Sequence, residues 1–341
     1  MRAFVLSGGA NLGPIQVGAL RALLEHKIIP QMVVGCSAGA LNAGYFAHEI
    51  SLAQVEHLAN VWRDVTMRDI YPEHRVGALW RLFSGQDSFY SNRNFYAFLQ
   101  RHGATPAQTF GQAAALPLYI TATHLHTGQL HVFGDDPNDR ILDAMMASSA
   151  LPPLFPPWEV DGERYIDGGT VTPLPLRVAL ERGATEIYSL HITAGAAEKN
   201  PNVYHGVASL LTRSVDTMLG LQAQHDLLLI KHQRKVRLHY LQLKVLNPPA
   251  PTDFTQAEQL MELGYAQTME FLALLSPQRP PRPASPRALR LSPANFLLRI
   301  RHATQSQNGK ALSAVHNQPW LHRFWTPKPH LSGPSLPQAQ E

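Results

Sequence analysis

The chain has 341 residues, 45% of them hydrophobic, enough for one large core with appendages, and its single cysteine, Cys36, excludes a disulfide scaffold. No run approaches the ~20 apolar residues that span a bilayer, and the apolar stretch at residues 3–6 gives way at once to glycines, so neither a spanning helix nor a secretory leader is expected. The expected location is the cytoplasm, peripheral on a membrane at most. The net charge of +4 is unevenly shared: residues 276–341 carry a surplus of +8, which leaves −4 on residues 1–275.

Residues 2–6 predict a short strand that runs into the glycine-rich loop Gly8-Gly9-Ala10-Asn11-Leu12-Gly13. A helix over 14–26 follows, with Leu20, Leu23 and Leu24 on one face. Such a loop leaves several backbone N–H groups pointing one way at a helix N-terminus, which makes an anion site. As a dinucleotide fingerprint it fails, because Ala10 stands at the second glycine position and no acidic residue follows at the expected distance. An oxyanion pocket is the better reading, with Gly8, Gly9 and Ala10 as backbone donors helped by Asn11.

A second strand over 31–35 ends in Gly35-Cys36-Ser37-Ala38-Gly39, and a helix over 38–48 follows. Strand, G-x-S-x-G and helix in that order make a nucleophile elbow. Glycines on either side remove β-carbons that would clash in the tight turn, and Ser37 is held over the positive end of the next helix. Cys36, beside it, is expected to pack against the sheet and take no part in the chemistry. Ser51 with Gln54 predicts a capping box that opens a helix toward Arg63.

Residues 64–90 are irregular and aromatic, with Tyr71, Trp80, Phe83, Phe89 and Tyr90. They suit a lid or an acyl-chain wall, but core packing is the better expectation for aromatic side chains. A helix over 92–101 comes next, then strands over 118–123 and 129–133 joined through Thr127-Gly128. His124, His126 and His131 cluster around that hairpin; with no carboxylate in a ligand arrangement, no metal site is expected. A helix over 139–149 leads to a hairpin that turns at Asp161-Gly162 and ends on Ile166-Asp167-Gly168-Gly169. A helix over 175–182, a strand over 186–191, helices over 203–232 and 254–275, and a strand over 236–243 complete the folded part. Lys231, Arg234, Lys235 and Arg237 read as a solvated basic face.

These motifs resemble those of the patatin-like phospholipase family over residues 2–195: the glycine loop, G-x-S-x-G one βα unit later, and Asp167-Gly168-Gly169 more than a hundred residues downstream. The resemblance implies a Ser37–Asp167 dyad acting on acyl esters of lipids, with Gly13, Gly35, Gly39, Gly168 and Gly169 supporting the motifs and no cofactor needed. Two departures stand out: Ala10 replaces the usual third glycine, and Leu12 stands where the family usually carries Arg or Lys. Chain order separately opposes an α/β-hydrolase, whose elbow comes after several strands and is followed by an acid and a histidine. If a triad existed, His191 would be its third member.

The expected fold is α/β, a mostly parallel central sheet with helices on both faces and the elbow after the second strand. Its expected parts are a catalytic core at 2–195, a helical continuation with one strand at 196–275, and a basic, proline-rich tail at 276–341. The expected activity is a serine acyl hydrolase of the phospholipase A or lysophospholipase type, and the partner a phospholipid or other acyl-ester lipid. The alternatives are an acyltransferase that uses the same acyl-enzyme and a non-catalytic lipid-binding protein. The tail, with Phe296, Trp320, Phe324 and Trp325 among its basic residues, suits contact with an anionic membrane. No nucleic acid motif accompanies the charge, so none is expected as a partner.

Overall fold

The apolar runs Arg2–Leu6 (β1) and Met32–Cys36 (β2) pair in parallel at the centre of an eight-stranded sheet. This computed structural model describes residues 1–72, 84–113, 115–195, 206–231, 233 and 235–275. The remaining strands are Leu118–His124 (β3), Leu130–Phe133 (β4), Trp158–Val160 (β5), Glu163–Asp167 (β6), Glu186–Ala194 (β7) and Arg237–Val245 (β8). Their order is β5-β6-β3-β2-β1-β7-β8, with β4 paired to β3. Pairs β1–β2, β1–β7, β2–β3 and β7–β8 are parallel; the pairs β3–β4, β3–β6 and β5–β6 are antiparallel. The strand order reverses at β1, and open α/β sheets bind ligands at such a point, beyond the carboxyl ends of the strands.

The helices are Pro14–Glu25 (α1), Ala38–Phe46 (α2), Leu52–Asp64 (α3), Met67–Ile70 (α4), Arg93–Arg101 (α5), Phe110–Ala113 (α6), Ile141–Ser148 (α7), Leu176–Glu181 (α8), Val207–Lys231 (α9) and Ala257–Leu275 (α10). Both faces of the sheet are covered. Phe4 and Leu6 of β1 meet Ile15, Phe46, Leu58 and Leu142 on one face. Ala3 and Val5, pointing the other way, meet Leu176, Val178, Ala223 and Ile230. Burial on both faces is why β1 and β2 read as continuous apolar runs and not as alternating ones.

Helix α10 crosses α1 at very close range. A β-carbon on Gly18 would sit 1.8 Å from the Met261 carbonyl oxygen, and one on Gly264 would sit 1.9 Å from that of Ile15. The last described helix is therefore part of the same core as the first.

Several boundaries differ from the sequence expectations for stated reasons. Strand β7 runs to Ala194 and β8 to Val245 because the two pair in register along their whole length. Ser51 accepts a hydrogen bond from the Gln54 N–H at 3.1 Å, but the Gln54 side chain donates to the Tyr45 carbonyl, so only half of that capping box forms. A complete box forms instead at Thr66 and Asp69. Tyr71 is buried, stacks on Phe155 and packs at a tilt against Tyr90, the core packing expected of it. The described residues all belong to one compact unit. Trp80, Phe83, Arg234 and the tail from Ser276 lie outside the described residues.

Candidate active site

Ser37 stands between β2 and α2 with φ 53° and ψ −123°, a conformation that glycine favours. Strained serine at a strand-to-helix turn presents its hydroxyl outward. The glycines make the turn fit. A β-carbon on Gly35 would sit 2.4 Å from the Gly39 carbonyl oxygen, and one on Gly39 would sit 2.3 Å from that of Leu6. The Ser37 N–H donates to Ser148 Oγ at 2.8 Å, so the start of α2 is pinned by the end of α7.

Strand β3 brings the acid to the serine. Thr121 pairs with Cys36, the last residue of β2, and Ala122 pairs with Asp167, the last residue of β6. Two ends from distant parts of the chain thus lie one β3 residue apart. Ser37 Oγ donates to Asp167 Oδ2 at 2.7 Å. The other carboxylate oxygen accepts the Gly169 N–H at 2.7 Å, and Thr123 Oγ1 donates to the Asp167 carbonyl at 3.0 Å. Gly168 permits the approach, since a β-carbon there would sit 2.3 Å from the Thr121 carbonyl oxygen.

Asp167 is 3% exposed. Burial raises its pKa to about 6, opposed by the hydrogen bonds from Ser37 and Gly169. No charged neighbour is involved in that shift. Burial also pushes the Cys36 thiol well up, helped by the nearby Asp167 carboxylate, so Cys36 stays protonated and inert. His191 does not join the pair: its Nδ1 bonds the Tyr240 hydroxyl at 2.8 Å, and burial lowers its pKa to about 4. Among the described residues no histidine hydrogen-bonds Ser37 or Asp167.

The glycine loop departs from expectation at two of four positions. The Gly8 N–H donates to the Pro173 carbonyl at 2.9 Å, so it is already engaged. The Asn11 side chain points away, donating to the carbonyls of Ala250 and Asp253 at 2.8 Å each. The N–H groups of Gly9 and Ala10, like the backbone N–H of Asn11, have no acceptor among the described residues. Gly8 still matters by being small, because a β-carbon there would sit 3.3 Å from Ser37 Cβ. Ala10 adopts φ 48°, the left-handed region that a glycine would occupy without strain. Leu12 is buried in the core, so its apolar side chain serves packing.

A loop with free amides, a strained serine after the second strand and an Asp-Gly-Gly acid meet at one end of the sheet, and a profile of the Patatin-like phospholipase family matches residues 4–180. The chain belongs to the patatin-like phospholipase family. Patatin-like phospholipase domain-containing protein 7 of Rattus norvegicus is 27% identical over 288 residues, which covers 77% of this chain and 20% of that protein. Lysophospholipase NTE1 of Mycosarcoma maydis is 26% identical over 210 residues, covering 59% of this chain and 10% of that protein. Among solved structures, VipD from Legionella pneumophila aligns with a TM-score of 0.43 at 17% identity, over 80% of this chain and 67% of that one. The chain thus spans about a fifth or less of the length of those two relatives.

The patatin-like site draws on residues that no motif marked. Gln16, Asn42 and Trp62 form a buried chain of hydrogen bonds: Trp62 Nε1 donates to Asn42 Oδ1 at 2.7 Å, and Asn42 Nδ2 donates to Gln16 Oε1 at 2.9 Å and to the Gly13 carbonyl at 3.0 Å. Gln16 Nε2 reaches the carbonyls of Ser7 and Leu190. From the other face, Gln222 Nε2 donates to the Thr170 carbonyl at 3.2 Å, and Thr172 Oγ1 donates to Asp226 Oδ2 at 2.7 Å, steadying the segment after Asp167. A polar residue on an apolar helix face was the available signal at Gln16 and Asn42. The histidine hairpin is structural: His124 Nε2 bonds Glu163 at 2.8 Å, and His131 packs its ring on Phe133 and Tyr165. Among the described residues, no three metal-ligating side chains gather.

Proposed function

We propose that this chain hydrolyses carboxylic esters of lipids through an acyl-enzyme on Ser37, with Asp167 as its base. The observation that carries this reading is the 2.7 Å hydrogen bond from Ser37 Oγ to a buried carboxylate whose pKa is raised to about 6. A carboxylate of ordinary pKa, about 3.9, is a weak base toward an alcohol. Burial makes this one stronger and still leaves it ionised at neutral pH.

Ser37 Oγ attacks the ester carbonyl while its proton passes to Asp167 Oδ2. The carbonyl oxygen becomes an oxyanion, which accepts hydrogen bonds from Gly9 and Ala10 N–H; one such donor is commonly worth about 10²–10³ in rate. Collapse of the tetrahedral intermediate expels the alcohol, which leaves with the proton from Asp167. Water then attacks the acyl-enzyme, gives a proton to Asp167, and the acid departs as Ser37 regains its hydrogen.

The names of relatives, which include a lysophospholipase, support phospholipid or lysophospholipid as the substrate class. The basic tail is proposed to add contact with anionic membranes. Among the described residues no helix is long and apolar enough to cross one. The deciding experiment compares fatty-acid release from lysophospholipid by the wild type and Ser37→Ala. Release should vanish with the hydroxyl, and a fluorophosphonate probe should label only the wild type. Undiminished release by a folded Ser37→Ala would overturn the assignment. Deleting residues 276–341 should weaken vesicle binding at low salt and leave turnover of a soluble ester unchanged; equal vesicle binding would remove the tail from the scheme.

A further inference from the structure

We infer that Asn11 is a positioning residue for the oxyanion amides, acting by tying the loop to the β8–α10 turn. The inference rests on the proposed ester hydrolysis and deepens it. Asn11 follows Gly9 and Ala10 directly and is 7% exposed. Its Nδ2 donates to the Ala250 and Asp253 carbonyls, both at 2.8 Å, across 239 and 242 residues of chain. An amide NH₂ has two hydrogens. Both are used, and because both partners are carbonyl oxygens the NH₂ end must face them.

The receiving turn is braced before Asn11 reaches it. The Asp253 N–H donates to the Ala250 carbonyl at 2.8 Å. Asp253 Oδ1 accepts from Thr255 N and Oγ1 at 2.9 and 2.7 Å, and Oδ2 accepts from Gln256 Nε2 at 3.2 Å. The turn leads into α10, which is locked on α1 at Gly18 and Gly264. Asn11 therefore links the loop to a rigid part of the core.

The loop needs that link. Gly8 and Gly9 have wide conformational freedom. Within the loop, only the N–H groups of Leu12 and Gly13 bond back, to the carbonyls of Gly9 and Ala10. Nor does the loop carry a cation, since Leu12 is buried in the core. Oxyanion stabilisation then depends on how well two amides are aimed, and a displacement of about 1 Å in such a group costs about 10²-fold.

Asn11→Ala removes both donors, and Asn11→Asp keeps the shape while setting a carboxylate against two carbonyl oxygens. With a short-chain soluble ester, each should lower kcat by about 10- to 100-fold while KM stays within about twofold, since the oxyanion exists only after attack. A trifluoromethyl ketone that forms a hemiketal with Ser37 should lose affinity by the same factor as kcat/KM. A non-reactive ether analogue of the ester should bind as before. Asp253→Ala, which loosens the turn from its far side, should show a smaller loss with the same split between kcat and KM. Unchanged kcat in both Asn11 variants would overturn the inference. So would equal losses for ketone and ether, which would mark a general structural role. Ser37→Ala, run beside them, separates the two claims: if it retains turnover, the hydrolase reading falls and takes this inference with it. If it is inactive while the Asn11 variants are not impaired, the Asn11 inference alone falls.

Discussion

The elbow at Gly35–Gly39 and the loop at Gly8–Gly13 lie at the same end of the sheet, yet they are held in opposite ways. The elbow is fixed by crowding: its glycines face the Gly39 and Leu6 carbonyls at 2.4 and 2.3 Å from where a β-carbon would be. The loop is fixed by side chains sent from elsewhere. Ile192 closes over Gly9, Trp62 over Gly13, Asn42 bonds the Gly13 carbonyl, and Asn11 reaches the β8–α10 turn. Crowding is written locally in the sequence; long reach is not. Damage to the elbow should therefore appear first in folding or chemistry as a whole, and damage to the loop as graded loss.

The largest effect should come from the elbow's own hydroxyl. Ser37→Ala should cut ester turnover by about 10⁴ or more and still fold, with about 1–2 kcal/mol lost at neutral pH because the buried Asp167 carboxylate loses the Ser37 Oγ–H donor while the N–H bond to Ser148 survives. Gly39→Ala should cost about 3 kcal/mol or more in chemical denaturation, since backbone lies against the new methyl and neither side can yield. An alanine variant of native stability would mean the elbow is held less tightly than its geometry indicates.

On the loop side, Asn42→Ala should cost about 2–4 kcal/mol, because it strands the buried Trp62 N–H and Gln16 Oε1 together with the Gly13 carbonyl. Activity should decline as well, through the loosened loop. A purely elbow-dependent catalyst would lose stability here and keep its kcat.

Asp167 connects the two halves of the comparison through pH. Its folded pKa of about 6 lies above the ordinary 3.8, so the folded chain binds the proton more tightly than the unfolded one. The buried charge therefore costs stability that is felt in full above pH 6 and is relieved as pH falls toward 4. Asp167→Asn, which cannot ionise, should be more stable than the wild type at pH 8 by about 1–3 kcal/mol, with the advantage closing toward pH 4. It should also be inactive. Wild-type kcat should fall about tenfold per pH unit below about 6 as the base is protonated. A flat profile from pH 5 to 8 would remove Asp167 as the base. The smallest effect belongs to Ala10→Gly, which relieves φ 48° and should stabilise by about 0.5–1 kcal/mol in a thermal melt.

The fold and the centre of the site were legible because their causes are local. Continuous apolar runs mark β1 and β2 as strands buried on both faces, and glycines mark the elbow and the Asp167 turn. Burial explains the limits. Nothing in the sequence near Gly8 says that its N–H will meet Pro173, or that Asn11 will turn toward Ala250; both depend on chain that arrives much later. The acceptor of the Ser37 N–H, Ser148 Oγ, likewise lies 111 residues away. The close crossing of α1 and α10 was hidden for the same reason, since Gly18 and Gly264 look like weak points in their helices until they are placed against each other.

The single-residue step along β3, from Thr121 to Ala122, fixes the reach between Ser37 and Asp167, although 130 residues of chain separate them. Contour length and the Ser37–Asp167 distance are therefore independent. The exposed 125–128 hairpin tip could be lengthened by a whole inserted loop without changing the dyad. One extra residue between Cys36 and Ser37, or a bulge at Thr121, would move the hydroxyl away from its acid. The tolerance of this chain to insertion is set by where it meets β3, and the number of residues between its motifs carries no constraint of its own.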